Sequence, residues 1–316
     1  MKKLRVASMF AGIGGICSGF KQANFEIIWA NEINISSCQT YRHNFGNKYL
    51  IEKDIRIIDT KKIPEFDVLT AGFPCQSFSI GGTQKGFNDN RGILFFEVAR
   101  VMEAKKPKVV FLENVENLIE HDNGKTFLVI YNVLAAYGYS VCYKIMPTYE
   151  YGNIPQARKR IYILAFHNKE QHESFEFPEP VPLEKKINDI VNFSEKADNI
   201  FYFDTNSNIY DRINKFIDKD QQLFRIFNGQ IRNIRNPNIC PTLTASMNNI
   251  YNAAVLRDKK GIRRLTLREC LDFQGFPKDY TFPDTIKLPD AYKQIGNSVS
   301  VPVVKRIADQ VMLSFK

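Results

Sequence analysis

Apolar and polar positions alternate in blocks along the first half of the chain. Leu4–Phe10 is a short apolar run that predicts a strand, and Gly12, Gly14 and Gly15 follow it directly. Phe25–Ala30 and Tyr49–Lys53 predict further strands, with a helix over Asn34–Phe45 between them, and Phe66–Ala71 predicts another strand. Within Gly92–Lys105, Leu94, Phe95, Val98, Val101 and Met102 recur at three- and four-residue spacing, which gives a helix one apolar face. Lys108–Leu112 reads as a strand, Lys125–Tyr137 as a helix and Arg160–Phe166 as a strand. Such alternation predicts an α/β fold: a mostly parallel sheet with helices on both faces.

The pattern changes after His167. Pro178, Pro180 and Pro182 alternate with acids in a stretch that reads as a linker. Onward to residue 262 the periodicity is weak and Asn is frequent, which predicts a smaller, loop-rich domain. Thr266-Leu267-Arg268-Glu269 matches a capping box, and Gly275 and Pro277 end the helix it starts. A last helix is predicted over Pro302–Phe315. The expected domains are 1–172, 173–282 and a C-terminal segment, 283–316, that returns to the first.

Composition narrows the class. The 316 residues are 44% hydrophobic and 13% aromatic, which excludes a disordered chain. No apolar run approaches the roughly 20 residues of a membrane span, and no signal peptide is read at the start, so a cytoplasmic protein with no membrane partner is expected. The net charge is +9. Much of it falls in residues 221–270, where Arg225, Arg232, Arg235, Arg257, Lys259, Lys260, Arg263, Arg264 and Arg268 face only Asp258 and Glu269. A concentration of this sign suits a polyanion such as nucleic acid, or is a solvated basic face. Six cysteines without a Cys-x-x-Cys pair point to neither a zinc site nor a disulfide framework, and no metal is expected.

Five segments and two separate acids carry candidate chemistry. Phe10-Ala11-Gly12-Ile13-Gly14-Gly15 is a glycine-rich strand-to-helix turn that lets backbone approach a nucleotide-like ligand, although Cys17 stands where a dinucleotide fingerprint has its third glycine. Glu32 and Asp54 end the next strands, where carboxylates accept ribose hydroxyls in doubly wound folds or simply cap helices. Pro74-Cys75-Gln76 follows a strong strand at the sheet's ligand-binding end, so Cys75 is either a nucleophile or a buried thiol. Glu113, in Glu113-Asn114-Val115, ends the neighbouring strand and could face Cys75. Arg158 and Arg160, in Gln156-Ala157-Arg158-Lys159-Arg160, point to one face if extended. Gln294-Ile295-Gly296-Asn297-Ser298-Val299 reads by itself as the cap of the terminal helix.

Taken in order, these motifs resemble the DNA (cytosine-5)-methyltransferase family in its bacterial restriction-modification form. The likeness covers residues 4–167 and 262–312 and leaves 170–260 as the family's variable region. Gln84-Lys85-Gly86-Phe87, Asn90-Arg91-Gly92 and Arg264-Leu265-x-x-Arg268-Glu269-Cys270 also fit. The resemblance implies a Rossmann-like S-adenosylmethionine-dependent catalytic domain with a target-recognition domain. It implies that Phe10, Gly12, Ile13, Gly14 and Gly15 line the cofactor pocket, with Phe10 on the adenine. Glu32 takes the ribose, Ile33 contacts the adenosine, Asp54 and Ile55 contact the adenine, and Pro74, Leu94, Asn297 and Val299 complete the pocket. Ile33 replaces an aromatic residue common in the family.

The same resemblance makes Cys75 the nucleophile and Glu113 the partner of the target base, with Arg158 and Arg160 positioning the base and its phosphate. Thiolate addition at carbon 6 of cytosine makes carbon 5 nucleophilic, and S-adenosylhomocysteine is the co-product. The base must leave the duplex to be reached, and Ser77–Arg91, with Gly81, Gly82 and Gly86, is expected to close over it. Gln76, Ser79, Arg225, Gln230, Arg232, Arg235 and Thr242 are the expected DNA contacts. The partner is duplex DNA bearing a short site, with a cognate endonuclease as a functional companion, and the enzyme is expected to be a monomer. The alternatives are the tRNA-methylating branch of the family, against which the bacterial-type spacing and the variable region argue, a nicotinamide-dependent oxidoreductase, and a catalytically dead DNA-binding relative.

Overall fold

The computed structural model describes residues 3–73, 93–216, 223–232, 236, 238–249 and 252–316. Its elements run β1 (Arg5–Met9), α1 (Gly15–Gln22), β2 (Glu26–Glu32), α2 (Ile35–Phe45), β3 (Leu50–Glu52), β4 (Val68–Ala71), α3 (Ile93–Lys105), β5 (Val109–Val115), α4 (Lys125–Ala136), β6 (Ser140–Pro147), α5 (Thr148–Tyr151), β7 (Gln156–Ala157), β8 (Lys159–Phe166) and α6 (Lys169–Ser174). They continue as α7 (Asn208–Phe216), β9 (Leu223–Phe227), β10 (Gln230–Arg232), β11 (Cys240–Pro241), β12 (Ala254–Arg257), β13 (Ile262–Arg264), α8 (Leu267–Gln274), α9 (Leu288–Asn297) and α10 (Val301–Leu313). Two compact units result: Met1–Met146 with Lys159–Glu179 and Val303–Lys316, and Pro147–Arg158 with Pro180–Pro302. These bounds differ from the sequence expectation at three places. Residues 147–158 belong with the second unit, because Gln156 and Arg158 bond to its backbone, residues 173–179 stay with the first, and only the chain from Val303 returns to the first.

The first unit is built on a seven-stranded sheet of order β3-β2-β1-β4-β5-β8-β6. β1 pairs in parallel with β2 and β4, and β4 with β5, while β8 runs antiparallel to β5. The continuous apolar runs of β1, β4, β5 and β8 follow from burial on both faces. One face packs Ala7, Leu69, Val110 and Ile163 against Phe95, Val98 and Met102 of α3 and Ile130 and Leu134 of α4. On the other, Phe20 of α1 meets Phe111 edge-to-face at 5.2 Å. There Gly19 admits the C-terminal helix so closely that a Cβ at 19 would lie 2.6 Å from Val304 Cγ1. The chain order reverses between β1 and β4, so the crevice beyond their carboxyl ends is the topological switch point where open α/β sheets bind ligands.

The second unit has at its centre a four-stranded antiparallel sheet, β10-β9-β12-β13. Phe224, Ile226, Val255 and Ile262 from its strands bury against Phe203 and Ile213. The sequence expectation of a loop-rich domain holds for its connections but not for this core. A short parallel bridge joins β7 to β11 in the same unit. No helix among the described residues is long and apolar enough to cross a membrane.

Candidate active site and target-reading face

At the switch point the glycine-rich turn is held in the left-handed region. Phe10, Gly12 and Gly14 have φ of 53°, 55° and 82°. A Cβ at Gly14 would overlap the Phe45 ring, whereas at Gly12 nothing lies within 4 Å. The glycines therefore bring bare backbone to the mouth of the crevice. Glu32 braces this turn: Oε2 accepts the Gly12 N–H at 2.9 Å, and Oε1 accepts the N–H groups of Ile33 and Asn34 at 2.9 and 2.8 Å. A carboxylate has about four acceptor positions, so these three bonds leave capacity for a ligand hydroxyl. Asn31, buried at the end of β2, donates to the carbonyls of Ile51 and Lys53 and so fixes the approach to Asp54.

The Asp54 carboxylate takes the Arg56 amide and guanidinium at 3.0 Å, and that guanidinium holds it below the ordinary carboxylate range. Ile33 projects with 59% exposure. Ile13 and Ile55 are buried, Ile55 within the main core, while Leu94 is half-buried against that core. The ends of β2 and β3 thus present Glu32, Ile33 and Asp54 to a ligand, and Ile55 faces away into the core. The acceptors, the bare backbone and the apolar neighbours suit an adenosine-bearing cofactor.

On the other side of the switch point, β4 and β5 end together. Asn114 donates to the Phe73 carbonyl at 2.9 Å, stapling the two strand ends just before Pro74. The position of Gly72 faces the Glu113 carboxylate, 3.5 Å from an added Cβ. Arg160 of β8 reaches Glu113, Nε to Oε1 at 3.1 Å, across the antiparallel register that sets Asn114 opposite Ile161. Pro74, Cys75, Gln76 and Ser79, and the expected closing loop, lie outside the described residues.

Arg158 and Arg160 do not share a face, contrary to the sequence expectation. Arg158 is 2% exposed, and its guanidinium donates to the carbonyls of Leu243 (3.0 Å), Gly296 (3.3 Å) and Ser298, all in the second unit. It falls between β7 and β8, so no continuous strand enforces the alternation. Gly296 and Asn297 end α9 rather than capping the terminal helix; Asn297 is exposed and Val299 is buried.

The basic segment divides in the same way. Arg263 is buried, with Nε on Asp258 at 2.8 Å and two nitrogens on Glu269 at 2.8 Å each. Arg264 lies over the Phe203 ring at 4.8 Å, and Arg268 donates to the carbonyls of Pro277, Lys278 and Tyr280. These three arginines are scaffold. Elsewhere in the unit, a surface cavity is lined by Arg225, Thr242, Thr244, Ser246, Met247 and Asn252. Two of the expected DNA contacts therefore meet there, joined by Ser246 and Asn252, which weak periodicity gave no means of finding. Thr242 Oγ1 donates to the Ala157 carbonyl. Gln230 is exposed, and Arg232 stands opposite Arg225 in the β9–β10 register. Arg235 lies outside the described residues.

Residues 4–312 match the model of the C-5 cytosine-specific DNA methylases. The chain belongs to that family. It is 46% identical to the type II methyltransferase M.Bsp6I of Bacillus sp. (strain RFL6), over 98% of this chain and 99% of the relative. It is 37% identical to the type II methyltransferase M.HhaI of Haemophilus parahaemolyticus, over 99% and 96%. Among solved structures, a mutant DNMT2 of Spodoptera frugiperda superposes with a TM-score of 0.78 at 18% identity, covering 98% of this chain and all of that one. The Dnmt2 methyltransferase of S. pombe does so with 0.76 at 23%, covering 99% and 98%. At these identities the two structures bear on the fold alone.

The state of the described cysteines bears on their reactivity, because the thiolate and not the thiol is the nucleophile. Burial pushes the thiols of Cys17, Cys240 and Cys270 up, and those of Cys38 and Cys142 up to about 12. All five are free thiols.

Proposed function

We propose that this chain transfers a methyl group to carbon 5 of a flipped-out cytosine in a specific duplex DNA sequence, as the modification enzyme of a restriction-modification system. The observation that carries the reading is the juxtaposition at the ends of β4, β5 and β8. Glu113 is paired with Arg160 and faces the strand end that leads directly into Pro74-Cys75. S-adenosylmethionine, when bound, supplies an electrophilic methyl group. Gly12 and Gly14 would receive it on bare backbone, Glu32 would accept the ribose hydroxyls, and Phe10, Ile33, Asp54, Pro74 and Leu94 would contribute to its site.

Cys75 attacks carbon 6 of the cytosine as a thiolate. Glu113 hydrogen-bonds the ring at N3 and supplies a proton there as negative charge develops, while Arg160 holds the carboxylate in position. Carbon 5 would then take the methyl group as the methyl–sulfur bond breaks and S-adenosylhomocysteine leaves. Transfer of the carbon-5 proton to a base, return of the N3 proton to Glu113 and expulsion of the Cys75 thiolate restore the aromatic ring. Of the five described cysteines, Cys17, Cys38, Cys240 and Cys270 are buried and Cys142 is half-buried, so none stands as an open competing nucleophile. Arg225, Gln230, Arg232, Arg235 and Thr242 serve target reading and phosphate contact, with Arg and Gln suited to guanine and adenine edges.

Transfer of radiolabelled methyl groups to duplex DNA and to tRNA tests the substrate. We expect label in duplex DNA only, and bisulfite sequencing of that DNA to return one short motif. Transfer to tRNA alone would move the protein to another branch of the family.

A further inference from the structure

We infer that Arg100, oriented by Glu97, is a positioning residue for the adenine end of the cofactor site. The inference rests on the functional reading above, because it takes Asp54 and Ile55 as adenine residues, and every residue it uses lies in the first unit. Asp54 is the N-cap of a short 3-10 turn, Ile55–Ile57, and its carboxylate accepts the Arg56 N–H. Two backbone bonds close that turn: the Ile57 N–H on the Asp54 carbonyl at 3.2 Å and the Ile58 N–H on the Ile55 carbonyl at 3.1 Å. A single turn of this kind is marginal by itself, so its orientation is set by what holds it.

Two sets of contacts hold it. The side chains of Ile55 and Ile58 are buried in the main core, in one cluster with Phe95, Val98, Val101 and Met102 of α3. Such apolar contacts fix the depth of the turn but carry no direction. Direction comes from Arg100 of α3. Its Nη2 donates to the Ile55 carbonyl at 2.8 Å and its Nη1 to the Ile58 carbonyl at 3.0 Å. Its Nε donates to Glu97 Oε2 at 2.8 Å, three residues earlier on the same helix. The guanidinium thus has one edge tied to its own helix and its fork on both ends of the turn. The Glu97 carboxylate also favours the charged form of Arg56, whose guanidinium holds Asp54.

Planarity makes this a matter of geometry rather than of charge. A guanidinium presents its donors in a fixed fork, whereas an ammonium is a point charge that cannot hold two carbonyls at one set angle. With the fork in place, Asp54 and the backbone at Ile55 meet the adenine edge in one orientation. Without it the isoleucines still anchor the turn, but the turn rocks about them. The loss falls on the adenine edge and not on the ribose, because Glu32 is held separately by the amides of Gly12, Ile33 and Asn34. The Arg100 side chain is 35% exposed, so replacing it leaves no deeply buried charge.

Calorimetry on the full chain tests this with two ligands, S-adenosylhomocysteine and S-inosylhomocysteine, which carries an oxygen in place of the adenine 6-amino group. We expect the wild type to prefer the adenosyl ligand by roughly tenfold or more, the effect of one hydrogen bond to a charged group. In Arg100→Lys, which keeps the charge but loses the fork, the ratio of the two dissociation constants should fall by about threefold or more towards one. Glu97→Ala, which frees the guanidinium from its helix, should lower the ratio in the same direction. Thermal unfolding identifies which variants are folded, and either folded variant decides the matter.

A ratio that stays at the wild-type value in a folded variant, even if both affinities drop together, assigns the pair a purely structural role and overturns the proposal. A wild type that binds both ligands equally removes the adenine role of Asp54 and overturns the proposal at its base. A wild type that binds neither ligand overturns the functional reading itself.

Discussion

At the scale of single residues, the same residue type does opposite jobs, and burial decides which. Arg263 looks in the sequence like one more cation of a basic stretch, yet its partners are Asp258 and Glu269 and it is closed to DNA. Removing one member of such a buried set leaves charges uncompensated. Arg263→Met should therefore cost about 3–5 kcal/mol in denaturant unfolding, with no change in the salt slope of DNA binding. Arg232→Gln should do the reverse: stability holds, while the slope of log affinity against log salt falls by about one. Parallel salt titrations of the two variants check both outcomes.

Asp258 gives a pH prediction. Burial pushes its carboxyl up, but hydrogen bonds from Tyr202, Arg263 and the amides of Lys260 and Gly261 outweigh this and hold it below the ordinary value. A depressed carboxyl stabilises the fold above its unfolded-state pKa of about 4. That contribution is lost as pH falls through the lower folded-state value. Asp258→Asn should be less stable than wild type at neutral pH and should show a flatter acid limb below about pH 4. Unfolding followed across that range measures it.

At the scale of elements, local chemistry set what could be read in advance. The capping box at Thr266 is present as expected, with Glu269 Oε2 on the Thr266 N–H at 2.6 Å and Gly275 closing α8 at φ 75°. Thr266→Ala should cost about 1 kcal/mol in thermal unfolding. The strands and helices of the first unit were legible because buried parallel strands are unbroken apolar runs and the helices have clear apolar faces. The strands β9, β10, β12 and β13 were not, because they are only three to five residues long and carry Arg225, Arg232, Arg257, Arg263 and Arg264. The helix α9 was hidden by its own end, since Gly296-Asn297-Ser298 reads as a start signal for the helix after it. Gly14 ties an element to its site: Gly14→Ala would put a Cβ at φ 82° into the Phe45 ring. It should cost about 1–2 kcal/mol from the left-handed backbone alone and weaken S-adenosylmethionine binding by calorimetry.

At the scale of the molecule, the order of motifs along the chain told more than any motif alone. Glu32, Asp54, Gly72 and Glu113 fall on strand ends at one edge of one sheet, which strand order and register explain. What the sequence left unread was side-chain destination: Arg158 and Arg160, two residues apart, serve different units. The uneven charge also resolves at this scale into Arg263, Arg264 and Arg268, which bond within their own unit, and the smaller set proposed above for DNA.

The central claim is covalent catalysis on cytosine, and trapping tests it most directly. Wild type and Cys75→Ser are incubated with S-adenosylmethionine and duplex DNA carrying 5-fluorocytosine at the methylated position. Fluorine replaces the proton that must leave, so the adduct cannot collapse. The account predicts a denaturation-resistant protein–DNA species with wild type and none with Cys75→Ser. A wild-type enzyme that methylates ordinary DNA yet forms no such species, or a Cys75→Ser enzyme that transfers methyl groups at the full rate, would contradict it.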